Sequence, residues 1–578
     1  MCRFLLVSLN IDAILQETTI HRRRERLRVM TDGLDLEDAY RGTLDRIKAQ
    51  GGQKSRLGVA ALMWVCHSER LLRVEELCQA LVVEIGSTDC NDRNTPSIRT
   101  VLSCCQGFVV MDMKGSTVRP IHYTLREYLT SHRNLFQSPH STIAETCLTY
   151  LNSRQVMALS DSGIQSPQHS PFLEYSSVYW GTHMKKELTD RGKTLALELF
   201  RRCECHISTK LLLEHALARY STCSIVAPYK FTGLHCASMF GLVEVARALT
   251  EMDGIDINGI DETGATPLLW AAKNGYEAAV KFLLGLGDIN PDRPDCNVRT
   301  PLSCAAGNGH EVVVKLLLGR KDVNPDRPDC NGQTPTSWAG ENGHEATLKL
   351  LLEREDVNPD KLDKWDRTPI LWAARNGHEA ALKLLLGRKD VNPDRPDHNG
   401  QTPILWAGGK GHEATLKLLL EREDVNPDKL DKWDRTSITY AARNGHEAAL
   451  KLLLGRKDVN PDRPDHNGQT PISWASEKGR EATLRLLLER EDVNPDKLDK
   501  WDRTPILWAA RYGHEAVVKL LLERADVNPG RPDCNGQTPI SWATRNGHEA
   551  VVKLLLGTKD VNPNSPDRSD RTPTTPAT

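Results

Sequence analysis

Beyond residue 231, short apolar runs return at a fixed distance and are separated by polar turns. In one such stretch, Leu268-Leu269-Trp270-Ala271-Ala272 is an apolar run that stops at Asn274-Gly275. Thr266 suits the cap of a helix and Pro267 its first position, while Gly275 is free to take positive φ where the helix ends. A second helix is predicted over Glu277–Leu284, with Val280, Leu283 and Leu284 on one side. Asp288-Ile289-Asn290-Pro291-Asp292 then ends that helix and turns the chain. Two short helices and a turn cannot enclose a core alone, so such units must stack on their neighbours.

The spacing is strict. Threonines fall at 232, 266, 300, 334, 368, 402, 436, 470, 504 and 538, each 34 residues after the last, and an eleventh unit starts at Arg571-Thr572-Pro573 before the chain ends. Thr232-Gly233-Leu234-His235-Cys236-Ala237 resembles the ankyrin signature T-P-L-H-x-A apart from its proline; later units keep Thr-Pro but carry Leu269, Ser303 or Thr439 where the signature has His. The resemblance covers residues 230–563. It implies a hairpin finger before each Thr, with fingers and first helices lining a concave face.

A second period of 68 lies over the first. Trp365-Asp366-Arg367-Thr368 recurs at Trp433 and Trp501, alternating with Asn-Gly-Gln-Thr at Asn331, Asn399, Asn467 and Asn535. Ala373–Ile404 and Ala441–Ile472 are identical over 32 positions, the mark of recent copying of repeat pairs.

Before Thr232 there is no period. Glu37–Lys48 and Val74–Leu81 read as helices, Leu57–Cys66 as an apolar segment, and His122–Leu129 as a further helix. Gly107–Asp112 and Thr117–Ile121, joined through Lys114-Gly115-Ser116, read as a hairpin. Helices followed by a hairpin wing predict a winged-helix-like module. Leu34–Ile47, Leu71–Ala80, Val118–Leu129 and Pro171-Phe172-Leu173-Glu174-Tyr175 leading to Tyr179-Trp180 resemble the region after the ATPase core of fungal NACHT-type signalling proteins with ankyrin arrays. In that family a P-loop domain precedes this region; Phe4–Val29 resembles the end of its lid, and the core itself is absent from this sequence. The expected organisation is a lid remnant over 1–30, a winged-helix-like domain over 31–135, a helical connector over 136–229, ankyrin repeats over 230–563 and a disordered Pro/Ser/Thr-rich tail over 564–578. The fold class is mainly α: an ankyrin solenoid of about ten 34-residue repeats after a mostly helical N-terminal region.

Charge removes one class of function. The 75 Lys+Arg and 77 Asp+Glu leave a net −2, and Trp365–Lys432 holds 11 acidic and 11 basic residues, which disfavours binding to a phosphate backbone. The one dense basic run, Arg22–Arg28, is interrupted by Glu25 and reads as a solvated helix face or a nuclear-import patch. The longest later apolar run, Val59–Cys66, is too short to span a bilayer. Fifteen unpatterned cysteines are no disulfide framework. A soluble chain in the cytoplasm or nucleus, monomeric, is expected.

Catalytic motifs fail in turn. Gly192-Lys193-Thr194 lacks the earlier P-loop glycine, where Glu187 stands, and Gly51-Gly52-Gln53-Lys54-Ser55 lacks the Gly-Lys pair; both read as loops. His-Glu recurs from His310 to His548, but Val314, Leu348 and Leu382 occupy the place of a second zinc-binding His, so these histidines read as braces between repeats. Cys203-Glu204-Cys205-His206 has no second pair of ligands. No catalytic residue, cofactor or metal is expected.

The anomaly of composition is 12 Trp against 8 Phe. Seven Trp share one helix slot from Trp270 to Trp542, where ankyrin repeats expect an apolar side chain. Trp365, Trp433 and Trp501 instead stand three residues before the Thr, near the tips of fingers, flanked by Arg367, Arg435 and Arg503. Exposed aromatics beside Arg are hot-spot material for protein partners; the alternative is that each ring lies on the next finger, for example on Arg395-Pro396. The central repeats are expected to be weak, because Gly408-Gly409 sits at a helix end and Thr436-Ser437 lacks the proline. The function expected is a non-catalytic scaffold or regulator that binds partner proteins. The alternatives are a nuclear transcription coregulator and a truncated NACHT-type signalling ATPase.

Overall fold

The computed structural model describes residues 18–25, 36–89, 94–112, 114–132, 135–162, 170–201, 206–217, 231–558 and 561. The lid resemblance over Phe4–Val29 (save 18–25), the tail 564–578, the start of the eleventh unit and Cys203-Glu204-Cys205 lie outside the described residues. Two compact units, Met1–Cys296 and Asn297–Thr578, divide the chain.

The first unit begins with α1 (Leu36–Ala49), α2 (Gly52–His67), β1 (Leu72–Arg73), α3 (Val74–Ala80), α4 (Ile98–Cys104), β2 (Val109–Asp112), β3 (Thr117–Pro120) and α5 (Tyr123–Ser131). The three strands form an antiparallel sheet in the order β1-β3-β2, with Val109 opposite Pro120, Asp112 opposite Thr117 and Leu72 opposite Val118. This is the helices-then-wing arrangement read from the sequence. The two-residue β1 and the short α4 carried too little periodicity to be foreseen. Tyr40 of α1 joins the halves of the module, its ring 5.8 Å from Phe108 and 5.3 Å from Tyr128. The fully buried Glu76 carboxylate is matched rather than stranded: it accepts two bonds from Arg70 at 2.7 Å and one from the Arg73 amide.

Five further helices follow: α6 (Pro139–Leu151), α7 (Arg154–Ser162), α8 (Phe172–Lys186), α9 (Asp190–Phe200) and α10 (Ile207–Leu217). Gly192-Lys193-Thr194 lies in the first turns of α9, where the Thr189 hydroxyl accepts from Gly192 N, and Gly52 opens α2, so both rejected P-loop look-alikes are helix starts and not loops. The first repeat packs into this same unit. Phe240 lies 5.2 Å from Trp180, and a Cβ on Gly181 would collide with the Phe240 ring.

The repeat helices form as the pattern predicts, for example Pro267–Lys273 with Glu277–Leu284 and Pro369–Asn376 with Glu379–Leu386. The unit Thr caps its helix at 266, 300, 334, 368, 470, 504 and 538, its side chain accepting from the amide three residues on. Thr402 and Thr436 make no such bond, which agrees with a weak centre. The glycines there act differently from their propensity. A Cβ on Gly408 would strike the Ser437 hydroxyl, which donates to Ile404 O at 2.9 Å, so the glycine admits a close helix–helix contact.

The repeated histidines are braces. Nε2 of His344, His378, His412, His514 and His548 bonds a carbonyl 37 residues earlier, at 2.9–3.1 Å. The glycine before each bracing ring takes positive φ, and at Gly343 a Cβ would stand 2.5 Å from His378 Nδ1. No helix among the described residues is long and apolar enough to cross a membrane.

Candidate partner-binding site

Each finger is built on one buried aspartate. Asp363 Oδ1 accepts from the amides of Trp365 and Arg367 at 2.8 and 2.9 Å, while Asp363 N donates to Arg367 O and Asp366 N to Asp363 O. These bonds bend the chain tightly at Asp366, whose φ is 59°; the alternate fingers place Gly332, Gly400, Gly468 and Gly536 at that point. Asp tolerates the left-handed region better than most residues, so the Trp-Asp tip remains possible without glycine. Adjacent tips are tied together: Lys364 N donates to Asn331 O at 2.8 Å and His398 N to Trp365 O at 3.0 Å.

The second oxygen of the same aspartate joins finger to helix. Asp363 Oδ2 accepts from Arg367 Nε at 2.9 Å and from Trp372 Nε1 at 3.3 Å. The indole of Trp270, Trp338, Trp474, Trp508 and Trp542 likewise donates to the aspartate nine residues before it. The helix slot was read as merely apolar; where it holds Trp, the indole N–H also ties the helix to its finger. The signal was present in the sequence as an Asp at a constant distance before every slot Trp. Trp406 is the exception, since its Nε1 has no partner.

The exposed Trp365 ring stacks on its own Arg367. The Arg367 guanidinium lies 4.3 Å from the Trp365 ring centre and 4.0 Å from that of Trp372, and Arg375 continues the stack between Trp372 and Trp406 at 5.0 and 4.6 Å. Arg395, offered by the alternative reading as a bed for the ring, bonds Asp360 Oδ2 at 2.8 Å. Trp501, Arg503, Trp508, Arg511 and Trp542 repeat the stack, with 4.2 and 4.1 Å around Arg503. Alternating aromatic faces and guanidinium planes are mutually attractive, by about 0.5–1 kcal/mol per exposed pair.

The middle copy differs for a visible reason. Its helix slot holds Tyr440, whose hydroxyl donates to Asp431 Oδ2 at 2.7 Å. Arg435 turns instead to the next finger, with Nε 3.5 Å from Asp465 Oδ2, and stands 5.8 Å from Trp433. The structure thus places three Trp–Arg pairs on separate fingers, two of them alike. Trp365, Trp433 and Trp501 are 37, 40 and 41% exposed. Arg367, Arg435 and Arg503 have side chains only 14, 17 and 15% exposed, so what faces solvent is the ring and not the guanidinium.

The family model described as ankyrin repeats (3 copies) matches five overlapping stretches, 203–295, 288–361, 355–431, 410–499 and 491–567. The chain belongs to the ankyrin-repeat family. This ankyrin protein also matches the model described as the winged helix domain of GPI inositol-deacylase, over residues 44–141. Among solved structures it is similar to the human ASB11 ankyrin repeat domain, at 25% identity over 39% of this chain and 99% of that one, with a TM-score of 0.35. No curated protein sequence matches it. Ankyrin repeats indicate binding to other proteins.

Proposed function

We propose that this ankyrin protein is a non-catalytic scaffold whose fingers and first helices hold partner proteins, with the Trp365, Trp433 and Trp501 rings as anchors and Arg367, Arg435 and Arg503 fixing them. The observation that carries the reading is a large apolar ring left in solvent while its finger is made rigid by a buried aspartate and an arginine stack. A ring held in place loses little side-chain entropy on binding, which is what a hot spot requires. The likeness of the N-terminal module to a winged helix domain supports placing the chain near the NACHT-type signalling proteins, as a relative that acts by binding. Replacing all three tryptophans with Asn puts at each tip the residue that the alternate fingers carry at that position. Proximity labelling in the native cell is expected to lose a defined group of neighbours in that variant; an unchanged labelled set would refute the anchoring role.

A further inference from the structure

The first unit contains a cluster that the repeats do not need. α6 and α8 pack against each other so that His140, at the start of α6, meets His183, in the last turn of α8. Their Nδ1 atoms are 2.8 Å apart. The Glu69 carboxylate, just beyond the end of α2, completes a group whose three donor atoms lie within 4.8 Å of one another. His183 is fully buried, and its Nε2 bonds the Tyr175 hydroxyl at 2.9 Å, while that hydroxyl accepts the Glu69 amide at 3.2 Å. Beside the group, His67 stands edge-on to His140 at 5.3 Å, with a buried Nε2 that has no hydrogen-bond partner. A cavity of about 370 Å³, lined by His67, His132, Phe136, His140 and Glu187, reaches His140.

We propose that Glu69, His140 and His183 form a binding site for a divalent first-row transition metal of the zinc class. Two imidazole nitrogens facing each other at 2.8 Å can be reconciled by one shared proton or by one shared cation. With the Nε2 proton of His183 given to Tyr175, its Nδ1 lone pair is directed at His140. That outer bond fixes the ring in the way metal-ligating histidines are usually fixed. Two imidazoles and a carboxylate are an established donor set for zinc, and bonds of about 2.1 Å set tetrahedral donors about 3.4 Å apart, so the three groups need only small shifts. The cavity reaches one of the three ligands, His140, and gives a path of approach to it. One group opposes the metal: Lys186 Nζ holds Glu69 Oε1 at 2.6 Å. Its side chain is 45% exposed, so its ammonium can swing out as the cation arrives.

The test uses the full chain, reduced and stripped with chelator, then titrated with Co²⁺ and read by its visible d–d absorption. The wild type is expected to bind one equivalent without a thiolate charge-transfer band, and Zn²⁺ to displace it. His140→Gln and Glu69→Gln, both at partly exposed positions, are expected to weaken that equivalent at least tenfold while circular dichroism stays unchanged. Lys186→Ala is expected to tighten it severalfold, which a merely structural cluster would not do. Equal Co²⁺ affinity in the wild type and in whichever glutamine variants remain folded, or a thiolate band in place of imidazole-type absorption, would overturn the site.

Discussion

Asp363 shows how much a single side chain fixes in this array. Its two oxygens receive two amides, an arginine Nε and an indole N–H, so they set the turn, the stack and the junction with the helix together. Asp363→Ala leaves all of these donors short of a partner, and each buried unsatisfied group costs about 1–3 kcal/mol. We expect at least about 3 kcal/mol lost in urea unfolding. His235 makes the opposite point, since it is used once and then abandoned. Its Nδ1 accepts from Thr232 N at 3.1 Å, and its Nε2 bonds the carbonyls of Gly259 and Ala265. Burial, opposed by the neighbouring Asp261, keeps this imidazole neutral by lowering its affinity for a proton below the usual 6.5. The unfolded chain therefore takes up the proton first as pH falls. Stability from this residue is intact above pH 6.5 and declines below it. Amide protection over Gly233–Phe240, corrected for intrinsic exchange, is expected to fall between pH 7 and 5. Over Pro301–Gly307, where Ser303 fills the slot, it is expected to hold. Equal behaviour of both helices would contradict this account.

Among the elements, what was legible depended on whether the signal was local. Thr-Pro at a helix start, Asn-Gly at its end and apolar spacing of three and four are local, so the paired helices follow the predicted bounds closely. The hairpin of β2 and β3 was equally plain. The Asp–Trp bond was missed because it joins residues nine apart through side chains, and the arginine stack because it crosses from finger to helix to the next repeat. Gly408 shows the limit of propensity. Read alone, it weakens a helix by about 1 kcal/mol relative to Ala; in place, it leaves room for Ser437, whose hydroxyl bonds Ile404 O. Gly408→Ala is accordingly expected to destabilise the array by about 1–3 kcal/mol through overpacking, measured as a lower denaturation midpoint. A gain in stability would mean that propensity governs there.

At the scale of the molecule, copying explains why the composition is odd and why the function is hard to localise. Recent duplication of 68-residue pairs spread Trp through one slot and one fingertip, and it produced three candidate anchors where a diverged array would have one. The structure makes them unequal. Tyr440 draws Asp431 away from Arg435, so Trp433 is held less firmly than Trp365 or Trp501. No local pattern encodes that ranking, because it depends on which donor reaches a shared carboxylate. The most direct test places a photo-crosslinking phenylalanine at 365, 433 or 501 in the full chain, with exposed Lys389, away from the tips, as control. The account predicts adducts with the same cellular proteins from 365 and 501, weaker capture from 433 and none of these from 389. Adducts that do not differ between the tips and residue 389, or no adducts from any tip, would contradict it.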